Sequence, residues 1–244
     1  MRKKSIAFVI LGVAALFIGF RMVAPTLTTI VGPLAAPKPA STTTPAEVQP
    51  AGPVTADAAQ AITELDHVTV APPQQTPYDR RQFGQAWADV DRNGCDTRND
   101  VLRRDLVDTT LKPGTHDCVV LSGVLHDPYT GKTIDFTRGQ GTSELVQIDH
   151  VVPLAWAWRQ GAADWTEAKR QQLANDPLNL LAVDGPTNTA KSDQGPALWM
   201  PPSSSYRCSY AERFVQVLNT YDLTIPAEDH TALQRELTSC TGGK

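Results

Sequence analysis

The sequence has no excess of positive charge: 22 Lys and Arg residues stand against 26 Asp and Glu, and the formal net charge is −4. Nonspecific binding of nucleic acid depends on neutralising phosphates, so this balance excludes a basic, histone-like binder. The sequence also lacks His-Glu-x-x-His, which excludes a zinc peptidase of that type. No Cys-x-x-Cys pair occurs either, and its absence argues against a zinc finger.

Long apolar runs are missing as well. The run from Ile6 to Phe20 is shorter than the ~20 residues that span a bilayer comfortably, and it follows a basic cluster at residues 2–4. Such a start is typical of a secretory signal, but no clean Ala-x-Ala cleavage site follows. We expect residues 1–24 to be either a cleaved signal peptide or an uncleaved membrane anchor. In both cases the positive-inside rule makes the remainder secreted or anchored on the outer surface.

Residues 25–55 contain few large hydrophobic side chains and are rich in Pro, Ala, Thr and Ser. Ten of the 19 prolines lie between Pro25 and Pro77, a stretch with only five charged residues. This composition buries too little surface to offset chain entropy, and it predicts a disordered linker. The folded domain is expected over residues 56–244, and its first element is a short helix from Asp57 to Leu65.

Cysteine is scarce, and all four residues fall within the expected domain: Cys95, Cys118, Cys208 and Cys240. An even number in an exported chain favours two disulfides over free thiols. Three pairings remain open. Cys95 with Cys118 and Cys208 with Cys240 would each close a modest local loop and brace opposite ends of the domain.

The hydrophobic patterns predict a mixed α+β domain. We expect strands over Cys118–Leu125, Thr133–Phe136, the start of Val146–Pro153, and Leu178–Val183. We expect helices over Gln82–Val90, Asp96–Leu106, Leu154–Leu173 with a break near Gly161, Thr187–Asp193, Ala211–Tyr221 and Thr231–Cys240.

The chemistry concentrates where Asp149 stands beside His150. Successive side chains of a strand point to opposite faces, so these two share a site only if the strand ends or bends there. Pro153, which cannot donate a ladder hydrogen bond, is consistent with such an ending. Asn179 and Asn188 follow, and an asparagine oxygen together with one aspartate suits a magnesium ion that keeps several waters.

In this order, the residues resemble the HNH endonuclease signature: Asp149-His150-Val151-Val152-Pro153, then Asn179, then Asn188-x-x-Lys191-Ser192-Asp193. The segments at 91–98, 127–131 and 195–202 resemble the exported HNH-containing family related to the C-terminal domain of GmrSD-type restriction enzymes. This resemblance covers most of residues 78–222. It implies an HNH ββα-metal finger within a disulfide-braced domain, with one strand ending at His150, a second near Leu180–Val183, and a helix carrying Asn188.

The resemblance also implies a function, hydrolysis of phosphodiester bonds in nucleic acid, most simply DNA. His150 would be the general base, and Asp149 with Asn188 would hold one divalent ion, Mg²⁺ or alternatively Mn²⁺. Asn179 would brace the loop or orient His150, and Lys191 would contact the scissile phosphate. It implies no small-molecule cofactor, and a membrane contact only through an uncleaved N-terminal segment.

Two alternatives stay open. Residues 78–244 carry 17 Lys and Arg against 22 Asp and Glu, so phosphate affinity would depend on a local basic patch and the metal. A catalytically inactive HNH scaffold that binds a wall or protein partner is the alternative function. The alternative metal site is a calcium loop at Asp89-x-Asp91-x-Asn93-Gly94, although Asp100 replaces the usual glutamate at its twelfth position.

Overall fold

A computed structural model describes residues 58–242. The predicted signal or anchor segment (1–24) and the predicted linker (25–55) lie outside the described residues. The helices are α1 (Ala58–Asp66), α2 (Thr97–Asp105), α3 (Leu154–Arg159), α4 (Glu167–Asn175), α5 (Gly185–Lys191), α6 (Arg207–Tyr221) and α7 (Ala227–Thr241). The strands are β1 (Leu106–Leu111), β2 (Val120–His126), β3 (Thr133–Thr137), β4 (Val146–His150) and β5 (Leu180–Asp184). None of the helices within residues 58–242 has the length and apolar character that a membrane span requires.

The strands form two antiparallel sheets, and the mixed α+β class is confirmed. β1, β2 and β3 make a three-stranded sheet in that order. β4 and β5 make a separate two-stranded sheet whose register pairs His150 with Leu180 and Val146 with Asp184. α5 begins directly after β5 and packs on both strands of the pair. In the β4–β5–α5 unit, the helix therefore lies close to both strands of the pair.

Two hydrophobic cores surround the β4–β5–α5 unit. The larger contains residues of α1, α3, α6 and α7, including the fully buried Phe214. The smaller lies between α2 and both sheets, and Val146 and Ile148 of β4 belong to it. Because side chains alternate along a strand, Asp149 points away from the core that buries Ile148. The Asp149 side chain therefore points toward the larger core.

Local signals in the sequence account for several boundaries. The predicted helix over Asp96–Leu106 is confirmed as α2, with the Asp96 carboxylate accepting a hydrogen bond from the Asn99 N–H at 2.8 Å. The favoured cysteine pairing is confirmed as well. Disulfides join Cys95 to Cys118 and Cys208 to Cys240.

The helix predicted over Gln82–Val90 is wrong. The chain there makes a 3₁₀ turn over Arg80–Phe83 that stops at Gly84, whose φ of 70° lies in the left-handed region. Trp87 also has a positive φ, of 57°, so the segment cannot continue as a right-handed helix. Strand β1 has no counterpart among the predictions, and its register against β2 is irregular around Asp108.

Candidate active site

β4 ends at His150, and an open cleft of 290 Å³ lies at this end of the strand. The cleft is lined by Tyr78, Arg80, Ile148, Asp149, His150, Pro153, Leu154, Ala155, Asn188, Ser192 and Asp193. Asp149 and His150 both contribute, although they are neighbours on a strand. Because the strand ends at His150, these adjacent side chains can serve one cleft.

The His150 imidazole is held by its hydrogen bond to α4. Its Nε2 lies 2.9 Å from the carbonyl oxygen of Ala174. A carbonyl can only accept, so Nε2 carries the proton and Nδ1 keeps the lone pair. The indole ring of Trp87 stacks on the imidazole, with 6.4 Å between centroids and 15° between planes. The ring is therefore fixed in one tautomer.

The surroundings of the His150 imidazole favour its neutral form. Burial lowers the pKa of its imidazole from the ordinary 6.5 to about 3, and the positive charges of Arg80 and Lys191 act in the same direction. The hydrogen bond to the Ala174 carbonyl opposes this shift. At neutral pH the imidazole can accept a proton.

Asp149 lines the cleft and forms a buried ion pair with Lys191. Its carboxylate is 5% exposed, and the Lys191 ammonium donates to Oδ1 at 2.9 Å and to Oδ2 at 2.7 Å. The Tyr129 hydroxyl also donates to Oδ2, at 2.5 Å. Burial raises the pKa of the Asp149 carboxyl, while the Lys191 charge acts to lower it. A hydrogen bond from the His150 main-chain N–H acts to lower it as well.

Lys191 connects α5 to the Asp149 side chain and to the main chain of His150. The residue is completely buried at the last position of α5, and its Nζ also donates to the main-chain carbonyl of His150 at 2.7 Å. One ammonium group thus fixes the Asp149 side chain and the end of β4. The structure places Lys191 behind the cleft rather than on its lining.

Asn179 also lies behind the cleft and is completely buried. Its Oδ1 accepts from the Val152 N–H at 2.8 Å, and its Nδ2 donates to the Val152 carbonyl at 3.1 Å. The Asn179 main-chain carbonyl accepts from the Val151 N–H. This residue clamps the two positions that follow His150 to the start of β5.

Asn188 faces the cleft from α5. Its Nδ2 donates to Oε1 of Gln147 at 2.9 Å, so the amide is oriented with its oxygen as the remaining polar atom. Within residues 58–242 that oxygen accepts no hydrogen bond. Of the five residues that the sequence selected, His150, Asp149 and Asn188 line the cleft, whereas Asn179 and Lys191 support it.

Tyr129 is a part of the site that sequence reasoning missed. It is completely buried, and Asp127 fixes its turn by accepting from the main-chain N–H groups of Tyr129 and Thr130. Burial raises the pKa of the Tyr129 hydroxyl well above its ordinary value, so it remains a donor to Asp149. The segment Asp127-Pro128-Tyr129-Thr130-Gly131 carries part of the family resemblance, but no local pattern within it predicts the contact with Asp149.

The calcium-loop alternative has a different structural explanation. The Asp89 and Asp91 carboxylates accept hydrogen bonds from the Asn93 main-chain N–H, and Asp89 also accepts from Gly94 N–H. These contacts close the turn that leads into Cys95. In the part of the chain that the structure describes, the one metal-like grouping of three His, Cys, Asp or Glu residues is elsewhere, at Cys208, Glu236 and Cys240, where the cysteines form a disulfide.

A fixed, neutral histidine that lines an open cleft has the chemistry of a general base. Residues 96–236, more than half of the chain, match the family described as the C-terminal domain of GmrSD restriction endonucleases. The chain is also 40% identical over 200 residues to a protein of Arthroderma benhamiae called an uncharacterized secreted protein, a match that covers 81% of this chain and 92% of that protein. No solved structure matches the chain.

The length of the match to the GmrSD family and the extent of the similarity to the Arthroderma protein establish the relationship. This chain belongs to the family of the C-terminal domain of GmrSD restriction endonucleases. The resemblance found in the sequence is thereby confirmed at the level of the family.

Proposed function

We propose that this protein is an exported, metal-dependent endonuclease of the HNH type that hydrolyses phosphodiester bonds in DNA. The observation that carries the proposal is the geometry of His150: Nε2 is held by the Ala174 carbonyl, Nδ1 keeps its lone pair, and the ring lines an open cleft. Membership of a restriction-endonuclease family supports a nucleic-acid substrate. The similarity to a protein named as secreted supports export.

The chain order β4, β5, α5 supports the HNH assignment. The HNH resemblance requires two antiparallel strands followed by a helix, with the histidine ending the first strand and an asparagine on the helix. Here His150 ends β4, β5 pairs with β4, and α5 carries Asn188. The insertion between the two strands contains α3 and α4, and α4 supplies the carbonyl that orients His150.

In the proposed reaction His150 is the catalytic base. Its neutral imidazole takes a proton from a water molecule as the water oxygen attacks phosphorus, and the bond from phosphorus to the leaving 3′ oxygen breaks. The leaving oxygen takes its proton from solvent. The lowered pKa of His150 keeps the base neutral at the pH of the reaction.

The residues of the cleft fit a divalent ion of the magnesium type. Asn188 Oδ1 is a neutral oxygen to which no residue among 58–242 donates, and Asp149 Oδ1 accepts from Lys191. Two oxygens suit an ion that retains most of its water molecules. Asn188 and Asp149 would hold Mg²⁺ or Mn²⁺, which would stabilise the negative charge of the phosphate and the leaving oxygen.

Asn179 and Lys191 are positioning residues in this proposal. Asn179 clamps Val152 and so fixes the chain just beyond His150. Lys191 is completely buried and holds the Asp149 carboxylate and the His150 carbonyl. Because its ammonium lies behind the cleft, we assign it to the support of the site rather than to the scissile phosphate.

The test is digestion of supercoiled plasmid by the oxidised protein with Mg²⁺, with Mn²⁺ and with EDTA. We expect nicking that requires the metal, and we expect Asn188→Ala to need a higher metal concentration than the wild type. Thr189→Ala, a change at an exposed position of the same helix, is the control. A folded protein that cleaves neither duplex nor single-stranded DNA with either metal would instead support an inactive scaffold that binds a wall or protein partner.

A further inference from the structure

We propose that Arg80 and Tyr78 form a nucleotide-binding subsite of the cleft, in which Arg80 binds a phosphate beside the cleaved bond and Tyr78 contacts the adjoining nucleotide. This inference rests on the proposed function and names the residues that hold its substrate. Both residues precede positions 96–236, the part of the chain that matches the family.

Arg80 and Tyr78 reach the cleft from a well-fixed segment. Both line it together with His150 and Asn188. The 3₁₀ turn that begins at Arg80 is capped by the Asp79 carboxylate, which accepts from the Arg81 N–H. Arg170 Nε donates to the Gln82 carbonyl at 2.7 Å, and Phe83 is buried. The main chain beneath Arg80 is thus anchored to the larger core.

The charges around the cleft leave Arg80 as the available cation. The Asp149 carboxylate is paired with Lys191, and the Asp193 carboxylate accepts from Arg159 at 2.8 Å. The Arg80 side chain is exposed, and its guanidinium forms no ion pair or hydrogen bond with any residue of the described chain. Because arginine binds phosphate in a forked geometry, an unpaired guanidinium at this position favours a phosphate ligand.

Tyr78 adds an aromatic surface at the same edge. The residue is 39% exposed, and its ring packs edge-on against Trp158 with 6.1 Å between centroids. Phe83 lies 6.2 Å from it on another side. Two aromatic neighbours hold the ring in place while part of it remains open to a ligand. Nucleic-acid bases stack on aromatic side chains of this kind with little dependence on sequence.

A phosphate is less favoured toward the acidic residues beyond Asp193. A second cleft of 370 Å³ adjoins the first through Asp193, and its lining includes Glu228 and Asp229. Arg159 also lines that cleft, but it is paired with Asp193. The polynucleotide would therefore extend from His150 toward Arg80 rather than toward Glu228, since like charges repel.

The test compares Arg80→Gln with Arg81→Gln, a control that removes the same charge from the next residue. Arg81 has a side chain that is 89% exposed and pairs with Asp79, and it does not line the cleft. Both changes are made in the wild type, for cleavage, and in His150→Ala, for binding of a fluorescent DNA oligonucleotide by anisotropy at several salt concentrations. Melting temperatures of all variants confirm that they fold.

Arg80→Gln is expected to lose about tenfold or more in affinity and to reduce the salt slope by about one, because one phosphate contact is removed. Arg81→Gln should stay within about twofold, since its charge contributes only to the general field. Tyr78→Ala should weaken binding at every salt concentration without changing the slope, and Tyr78→Phe should restore it.

If the wild type cleaves DNA and Arg80→Gln matches Arg81→Gln in both assays, the subsite is wrong and the proposed function stands. If the wild type neither cleaves nor binds DNA, the proposed function and the subsite are both wrong.

Discussion

The Lys191 ammonium donates to both carboxylate oxygens of Asp149, at 2.9 and 2.7 Å, and neither residue is more than 5% exposed. A buried ion pair of this kind is not evidence of stability in itself, because both groups lose their hydration. Its effect is specific: it connects the end of β4 to the end of α5. The pair therefore sets the position of the histidine relative to Asn188, and it gives a direct prediction.

Removing one partner should be strongly destabilising. Lys191→Met leaves the Asp149 charge buried without its counterion, and we expect the free energy of unfolding to fall by about 3–5 kcal/mol. Urea unfolding measures the loss, and Lys132→Met at an exposed position is the control. Adding Asp149→Leu to Lys191→Met should recover part of the stability. Equal urea midpoints for Lys191→Met and Lys132→Met would refute this account of the pair.

His150 should make stability depend on pH. Its pKa is lowered to about 3 in the folded state against 6.5 in the unfolded state, so the unfolded chain takes up the proton first as pH falls. Stability is complete above 6.5 and is lost on acidification, by at most about 1.4 kcal/mol per pH unit from this group. His150→Gln should show a shallower loss between about pH 7 and pH 5. Parallel curves for the two proteins would show that His150 is not buried as a neutral group.

The disulfides should contribute to stability in similar amounts. Cys95–Cys118 and Cys208–Cys240 span sequence separations of 23 and 32 residues, so each should stabilise by about 3–4 kcal/mol through loss of entropy in the unfolded chain. Replacing each pair with serines and measuring urea midpoints tests this. The oxidised wild type treated identically is the reference. A pair whose removal leaves the midpoint unchanged would show that its loop is already ordered in the unfolded state.

Most of the helices and strands could be predicted from the sequence, because local signals determine where they begin and end. The break of the helix near Gly161 and the start of α2 after Asp96 follow from glycine and capping chemistry, whereas the strand end at His150 was implied by the resemblance to the HNH signature. The prediction of a helix over Gln82–Val90 failed because Gly84 and Trp87 take positive φ values, which a right-handed helix does not contain.

The arrangement of the site could be predicted only in part. The sequence marked His150 and Asn188, which the structure brings to one cleft. It could not show that Lys191, 42 positions from Asp149, is turned inward, because a lysine on a short helix is normally solvated. Tyr129 and Arg80 also reach the site from distant segments, and no local pattern predicts such contacts.

The central claim is that the His150 imidazole activates the attacking water. The most direct measurement is metal-dependent nicking of supercoiled plasmid by the wild type, by His150→Ala and by His126→Ala, an exposed histidine that does not line the cleft. The account predicts that His150→Ala melts as a folded protein and loses at least about a hundredfold in rate, while His126→Ala keeps wild-type activity. A folded His150→Ala variant that nicks plasmid at the wild-type rate would contradict it.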